Sequence, residues 1–287
     1  MTTTIEFYKI YHISPKSDTP TIQECLKSLI GQVNIYNNGD LPRDIYNLSI
    51  LSHERIGGVF RKVRPDDTIE YGQIGSDGKP LLLSDDEGIF ETNHFVYFPE
   101  YDIIGYVRNK HANHYSQLRA CLTHLTGKRI GMVQMLQKSS IEALLHNKNV
   151  LEISCSIPVS PLFSYDGNMW SNQAINALSK SGADKVDLTI KVDRRRQNRW
   201  LQNSITNISN IVGLGATKLT AKIESQDGDE VTPIDFLANK ILYIDHDFSY
   251  TKQKNDHANM YQKIIDAYVE KLDEIEQARR AYQMVTY

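Results

Sequence analysis

The stretch NHFVYFPEYDIIGYVRN, residues 93–109, decides the fold. Two runs rich in aromatic and β-branched residues flank Pro99 and Glu100, and this pattern predicts a β-hairpin. Further strand-like runs, several of them in hairpins, alternate with helical segments along the rest of the chain. The mixture predicts an α+β fold with mixed or antiparallel sheets rather than a doubly wound parallel sheet.

Prolines at positions 158 and 161 mark the predicted domain boundary. Residues 1–158 are expected to form an N-terminal globular α+β domain, and residues 159–250 a smaller, basic domain. Residues 251–287 are predicted to form a long C-terminal helix that packs back on the first domain or on a dimer partner. Its apolar stripe has helical spacing and consists of Met260, Ile264, Ile265, Tyr268, Leu272 and Ile275.

The composition is that of an ordinary globular protein, with 40% hydrophobic and 23% charged residues in 287 positions. No stretch approaches the roughly 18 apolar residues of a membrane span, and the N-terminus lacks the pattern of a signal peptide. Three cysteines without close pairing predict free thiols and a cytoplasmic location. The formal net charge of -3 argues against nucleic-acid binding over the whole surface, but not against a local basic face.

A basic stretch, KVDRRRQNRW, occupies residues 191–200. Lys191 ends a predicted strand, and the four arginines that follow open a predicted helix. Cations are disfavoured at a helix N-terminus, so these arginines favour a bound anion, and a phosphate suits both the exposed N–H groups and the guanidinium groups. The alternative is a solvated helix start with Asp193 as the local partner of the arginines.

The segment TKLTAKIE, residues 217–224, alternates polar and apolar side chains. With a period of two, Lys218, Thr220 and Lys222 share one face of a strand. Two cations and a hydroxyl in a row can follow a phosphate backbone without reading bases. We therefore predict one basic, DNA-binding surface that consists of Lys191, Arg194, Arg195, Arg196, Arg199, Lys218, Thr220 and Lys222.

Two other patterns contain residue types that can bind a metal ion. Asp245 and Asp247 follow a hydrophobic strand, and two carboxylates two residues apart can bind Mg²⁺ if Glu224 supplies a third. His114 and Cys121 lie in a helical pattern that predicts a core cysteine rather than a zinc ligand. The sequence therefore favours a protein that is not an enzyme and needs no cofactor.

The layout of the chain resembles the RexA-like family of phage lambda superinfection-exclusion proteins. An acidic segment precedes the hairpin in LLSDDEGIFETNHFVYFPEYDIIGYVRN, residues 82–109. Later the strand VDLTIKV precedes the basic stretch, the strand LTAK leads to an acidic turn with a glycine, and a long helix closes the chain. The scaffold is also similar to that of RdgC, a ring-shaped DNA-binding protein associated with recombination.

The resemblance implies a globular domain followed by a smaller, swivel-like domain at residues 159–250. It also implies a homodimer that binds double-stranded DNA without sequence preference and signals to a membrane effector protein. The DNA-contacting strand of the family falls on Lys222, while Thr220 stands where a basic residue is expected and Lys218 is a substitute on the same face. The leading hypothesis is thus a cytoplasmic, non-enzymatic sensor of foreign DNA in phage exclusion and antiviral defence. Two alternatives stay open: a metal-dependent nuclease that uses Asp245 and Asp247, and a protein-interaction module that docks an acidic partner.

Overall fold

The computed structural model describes residues 2–13, 15–37, 41–64, 70–71, 77, 79–84, 87–109, 111–139, 150–158, 185–192, 216, 218–224, 231–247 and 255–283. Its strands are β1 (Thr3–His12), β2 (Asn34–Tyr36), β3 (Arg43–Ile50), β4 (Ile56–Arg64), β5 (Glu70–Tyr71), β6 (Lys79–Pro80), β7 (Ile89–Phe98), β8 (Ile103–Val107), β9 (Ile130–Gln134), β10 (Val150–Pro158), β11 (Lys185–Lys191), β12 (Lys218–Glu224), β13 (Val231–Asp235) and β14 (Leu242–Asp245). Its helices are α1 (Ile22–Ser28), α2 (Tyr115–Thr126), α3 (His257–Glu270) and α4 (Leu272–Gln283), with a short 3-10 turn at Ser52–Glu54.

The first sheet joins eight of the described strands in the order β14-β1-β8-β7-β4-β3-β2, with β9 also paired to β1. The neighbouring strands are antiparallel. β14 pairs with residues 3–6 of β1 and β9 pairs with residues 8–12, so these two strands lie end to end along one edge of β1. β5 and β6 form a separate two-stranded ladder.

The hairpin predicted for residues 93–109 is confirmed as β7 and β8, with Phe95 opposite Tyr106. Every residue of β8 is buried, as aromatic and branched side chains in a central strand favour. The turn is closed by Tyr97, whose Oη donates to Oδ1 of Asp102 at 2.7 Å. Helices and antiparallel sheets together confirm the α+β class.

Each face of the first sheet carries its own hydrophobic core. Side chains on one face of β1, including Tyr8 and Ile10, pack with α1 and α2. Those on the other face, including Ile5 and Phe7, pack with α3, α4 and the second sheet. The alternation of strand side chains thus places helices or a sheet on both sides of β1.

The predicted helix around Cys121 is confirmed as α2, which begins at His114 as its N-cap and ends at Gly127 in the left-handed conformation. Cys121 is fully buried and free, as are Cys25 and Cys155. Burial raises the pKa of the Cys121 thiol to about 12, so the sulfur stays protonated at neutral pH. Among the described residues no group of three or more His, Cys, Asp or Glu is arranged to hold a metal ion.

The C-terminal helix packs against β7 and β8 and is divided at Lys271 into α3 and α4. The predicted apolar stripe is the face that packs, and Met260, Ile264 and Ile275 are fully buried. At the start of α3, Nδ1 of His257 lies 2.8 Å from Nε2 of the fully buried His94. None of the described helices has the length and apolarity needed to cross a membrane.

The second sheet has the strand order β11-β10-β12-β13. β10 lies on the N-terminal side of the predicted boundary at residue 158, yet it pairs with β11 and β12 from beyond that boundary. Conversely, β14 belongs to the predicted 159–250 segment and pairs with β1 of the first sheet. One face of the second sheet is buried in the core that it shares with α3 and α4, and the other face is polar.

Candidate nucleic-acid interface

The polar face of the second sheet contains the predicted residues of β12. Leu219 and Ala221 are buried at 0% and 2% exposure, while Lys218 and Lys222 are exposed on the opposite face. Thr220 lies between the two lysines and is half-buried. The structure therefore gives the three side chains the common face that their spacing predicts.

β10 lies between β11 and β12 and brings Lys191 near Lys222. Both lysines are directly opposite Glu152 of β10 in the strand register. Their Nζ atoms lie 3.4 Å and 3.3 Å from Oε2 of Glu152, respectively. The carboxylate thus bridges two lysines that the sequence separates by 31 positions.

The charge state of Glu152 follows from these contacts. Desolvation acts to raise its pKa, but hydrogen bonds from Lys222 and Lys191, with their positive charges, outweigh it and hold the pKa below its usual value. Glu152 is therefore ionised at neutral pH and competes with any anion for the same two lysines.

Hydroxyl groups form the next row across the face. Ser154 of β10 lies opposite both Thr189 and Thr220, and its Oγ is 3.1 Å from Oγ1 of Thr189. One row further along, Ser156 donates to the carboxylate of Asp187. This hydrogen bond comes first among the causes that lower the pKa of Asp187, and contacts with nearby lysines add to it.

The charges on the described part of this face balance. The cations are lysines and the anions are carboxylates, four of each: Lys185, Lys191, Lys218 and Lys222 against Glu152, Asp187, Glu224 and Asp235. The predicted site residues Arg194, Arg195, Arg196 and Arg199 lie outside the described residues. The described residues of this face therefore carry no net charge.

Asp245 and Asp247, the basis of the nuclease alternative, have different surroundings. Asp245 is buried at the end of β14, where its Oδ2 lies 3.2 Å from Nζ of Lys263. Its Oδ1 accepts a hydrogen bond from the backbone N–H of Asp247 at 3.0 Å, and Asp247 itself is exposed beyond the strand. Glu224, the suggested third carboxylate, belongs to β12 of the second sheet. These contacts give Asp245 a clear role in holding β14 to α3.

The sequence reasoning missed Glu152, Ser154 and Asp187. A signal for them exists in VLEISCSI, residues 150–157, where Glu152, Ser154 and Ser156 alternate with apolar residues. This alternation predicts a strand with one polar face. It does not reveal which strand lies beside it.

No protein-family model matches the chain, and no curated protein matches it either. The resemblance to the RexA-like family therefore stays a prediction based on layout.

Proposed function

We propose that the protein binds double-stranded DNA through the phosphate backbone, without sequence preference, on the polar face of the second sheet. The observation that carries the proposal is that Lys191 on β11 and Lys222 on β12 lie on either side of β10, on the same face as Lys218, Thr220 and the hydroxyl group of Ser154. Lysine and hydroxyl groups are common donors to phosphate oxygens, and contacts of this kind position a protein on DNA without reading its sequence.

The arginine stretch follows the lysine row in the sequence. Arg194 comes three positions after Lys191, the last residue of β11. Each guanidinium group of Arg194, Arg195 and Arg196 can form bidentate contacts with a phosphate. The proposal therefore includes these arginines among the groups that bind DNA.

Glu152 weakens the proposed binding. A phosphate that approaches Lys191 and Lys222 must replace a carboxylate that both lysines already contact. Exchange of one anion for another gives a small net gain, unlike contact with two unpaired cations. We therefore expect a protein that responds to a high local concentration of DNA rather than one that stays bound.

The resemblance to the RexA-like family adds a biological role to this proposal. We infer a cytoplasmic, non-enzymatic sensor of foreign DNA that acts in phage exclusion as a homodimer and signals to a membrane effector protein. The three buried, free cysteines are compatible with a reducing compartment.

The test is binding to several unrelated fluorescent duplexes at a series of salt concentrations. We expect equal affinities for all duplexes and a linear fall of log K with log salt. Replacement of Arg194, Arg195 and Arg196 by Gln should reduce the slope by about 3, and Lys218→Gln by about 1, on all sequences. Lys27→Gln, which removes a half-buried lysine of α1, is the control for net charge. Absence of binding at the lowest salt concentration would overturn the proposal.

The balanced charges of the described face favour a second candidate, a module that docks a protein partner. Alternating lysines and carboxylates can complement a partner whose charges are arranged in the opposite order. The same titration separates the two functions, because a protein-docking module does not bind DNA at about 0.15 M salt. Adding Mg²⁺ to the assay also tests the nuclease alternative, which requires cleaved DNA and its loss in Asp245→Ala.

A further inference from the structure

A second polar cluster lies on the first sheet, on the face of β1 that α2 covers. Glu6 of β1 is only 7% exposed. Its Oε2 accepts a hydrogen bond of 2.6 Å from Oη of Tyr8, and its Oε1 lies 3.7 Å from Nη1 of Arg108. Glu6 pairs with Leu242 of β14, which is half-buried, and the next outward residue on that face of β14, Ile244, is 45% exposed. The carboxylate is therefore buried close to an open edge of the sheet.

His114, the N-cap of α2, belongs to the same region. The ring of Tyr115 lies between those of His114 and Tyr8, with centroid distances of 4.3 Å and 4.1 Å. Solvent reaches the imidazole, yet desolvation by the surrounding protein, followed by the charges of Lys240, Arg108 and Arg119, lowers the pKa of His114 to about 4. Three cations therefore act on a neutral histidine at this end of the sheet.

The neutral form of His114 has a defined tautomer. The backbone N–H of Ser116 donates to Nδ1 of His114 at 3.4 Å, so Nδ1 supplies a lone pair. In a neutral imidazole the proton is then on Nε2. His114 thus presents an N–H donor on the side of the ring that the helix cap does not use.

Lys240 is a half-buried cation without a close counter-ion in the described part of the chain. It precedes β14 and is bridged to Leu136 after β9. Desolvation is the main cause that lowers its pKa, Arg108 acts in the same direction, and the more distant carboxylates of Glu6 and Asp235 oppose the shift. No described residue forms a hydrogen bond or ion pair with its ammonium group. A partly desolvated ammonium group favours an anion beside it.

Gln134 of β9 supplies an unpaired acceptor. Its side chain is 2% exposed, and its Nε2 donates to the carbonyl oxygen of Phe7 at 3.1 Å. Its Oε1 has no partner among the described residues. Gln134 lies directly opposite Tyr8 in the strand register, so the two side chains are on the same face as Glu6. An unsatisfied buried carbonyl oxygen is destabilising and favours a hydrogen-bond donor.

We propose that this cluster, the Lys240 site, binds a small phosphomonoester that also carries a hydroxyl or amino group. Lys240, Arg108 and Nε2 of His114 hold the phosphate, while Glu6 and Oε1 of Gln134 accept hydrogen bonds from the hydroxyl or amino group. The three donors, Lys240, Arg108 and Nε2 of His114, match the three acceptor oxygens of a phosphate group. A phosphomonoester carries about -1.5 to -2 at pH 7 and matches them better than a monovalent carboxylate.

The site is independent of the proposed DNA interface, because the five residues that would hold the ligand lie outside the polar face of the second sheet. The test is a titration of the full chain, labelled at its histidines, with inorganic phosphate and with glycerol 3-phosphate, observed by NMR at constant ionic strength. We expect a saturable shift of the His114 resonance and tighter binding of glycerol 3-phosphate than of inorganic phosphate. Lys240→Gln should weaken both at least tenfold, whereas Lys27→Gln should not change them.

Three outcomes would overturn the proposal. They are the absence of a saturable His114 shift, equal affinities in wild type and Lys240→Gln, and binding of acetate as tight as that of phosphate. A variant with Lys191, Lys218 and Lys222 all changed to Gln separates the two sites. It should lose DNA binding and keep the response of His114 to phosphate. If this variant still shows the His114 shift with phosphate, the proposal for the Lys240 site is supported whether or not the protein binds DNA.

Discussion

Replacement of Glu152 by Gln should strengthen DNA binding. In the folded protein Oε2 of Glu152 lies 3.4 Å from Nζ of Lys191 and 3.3 Å from Nζ of Lys222. Glutamine keeps the size of the side chain and removes the charge that occupies both lysines. The two ammonium groups then become available to phosphates, and the repulsion between the carboxylate and the DNA backbone disappears.

The size of the effect follows from the geometry. A phosphate that contacts either lysine would lie roughly 5 Å from the carboxylate, where two unit charges in water interact by about 0.8 kcal/mol. Loss of this repulsion alone raises the affinity about fourfold. The salt dependence should also become steeper, by between about 1 and 2 in the slope of log K against log salt, because up to two more cations contact phosphates.

Fluorescence anisotropy with one duplex at several salt concentrations measures both quantities. Glu54→Gln is the matched control, since it makes the same change in net charge at an exposed carboxylate that contacts Lys27 of α1. Thermal unfolding of both variants checks that each remains folded. Binding by Glu152→Gln that equals or falls below that of wild type would refute the idea that Glu152 competes with phosphate for these lysines.

Two further predictions concern stability. Burial, followed by the charge of His257, lowers the pKa of His94 to about 3, whereas an unfolded histidine has a pKa of about 6.5. Between pH 3 and pH 6.5 the histidine is therefore protonated in the unfolded chain and neutral in the folded protein. The contribution of His94 to the free energy of unfolding is complete above pH 6.5 and falls as the pH drops toward 3. Urea unfolding should show a loss of about 1.4 kcal/mol from this group between pH 7.5 and pH 5.5. His94→Gln should remove that part of the loss, while replacement of the exposed His246 should not; an unchanged pH dependence in His94→Gln would contradict the assignment. Gly105→Ala should destabilise the packing of α3 on β8 by about 1–3 kcal/mol, because the new Cβ would lie 2.6 Å from Cγ2 of Ile264. Thermal or urea unfolding measures it, and in a double-mutant cycle Ile264→Ala should cost less in the Gly105→Ala background than in wild type. Additive effects would show that the contact with Ile264 is not the cause.

Local patterns in the sequence were sufficient for several elements. The aromatic runs around Pro99 predicted β7 and β8, and the spacing of apolar residues predicted α2 with Cys121 in the core. The alternation in residues 217–224 placed Lys218, Thr220 and Lys222 on one face of β12. Each of these depends on a period of two or 3.6 residues, which the backbone geometry fixes within a few positions.

Local periodicity could not predict which residues come together at either proposed site. The position of Glu152 between Lys191 and Lys222 depends on β10 lying between β11 and β12. The Lys240 site likewise combines residues of β1 and β9 with Lys240, which lies two positions before β14 at one edge of the first sheet.

The sequence by itself therefore determined which side chains of an element face the core and which face solvent. Only the tertiary structure decided which elements are neighbours, and hence which charges are paired and which are left for a ligand. The physical reason is that strand order and register arise from packing of the whole chain, so contacts between residues far apart in sequence leave no periodic signal near either residue.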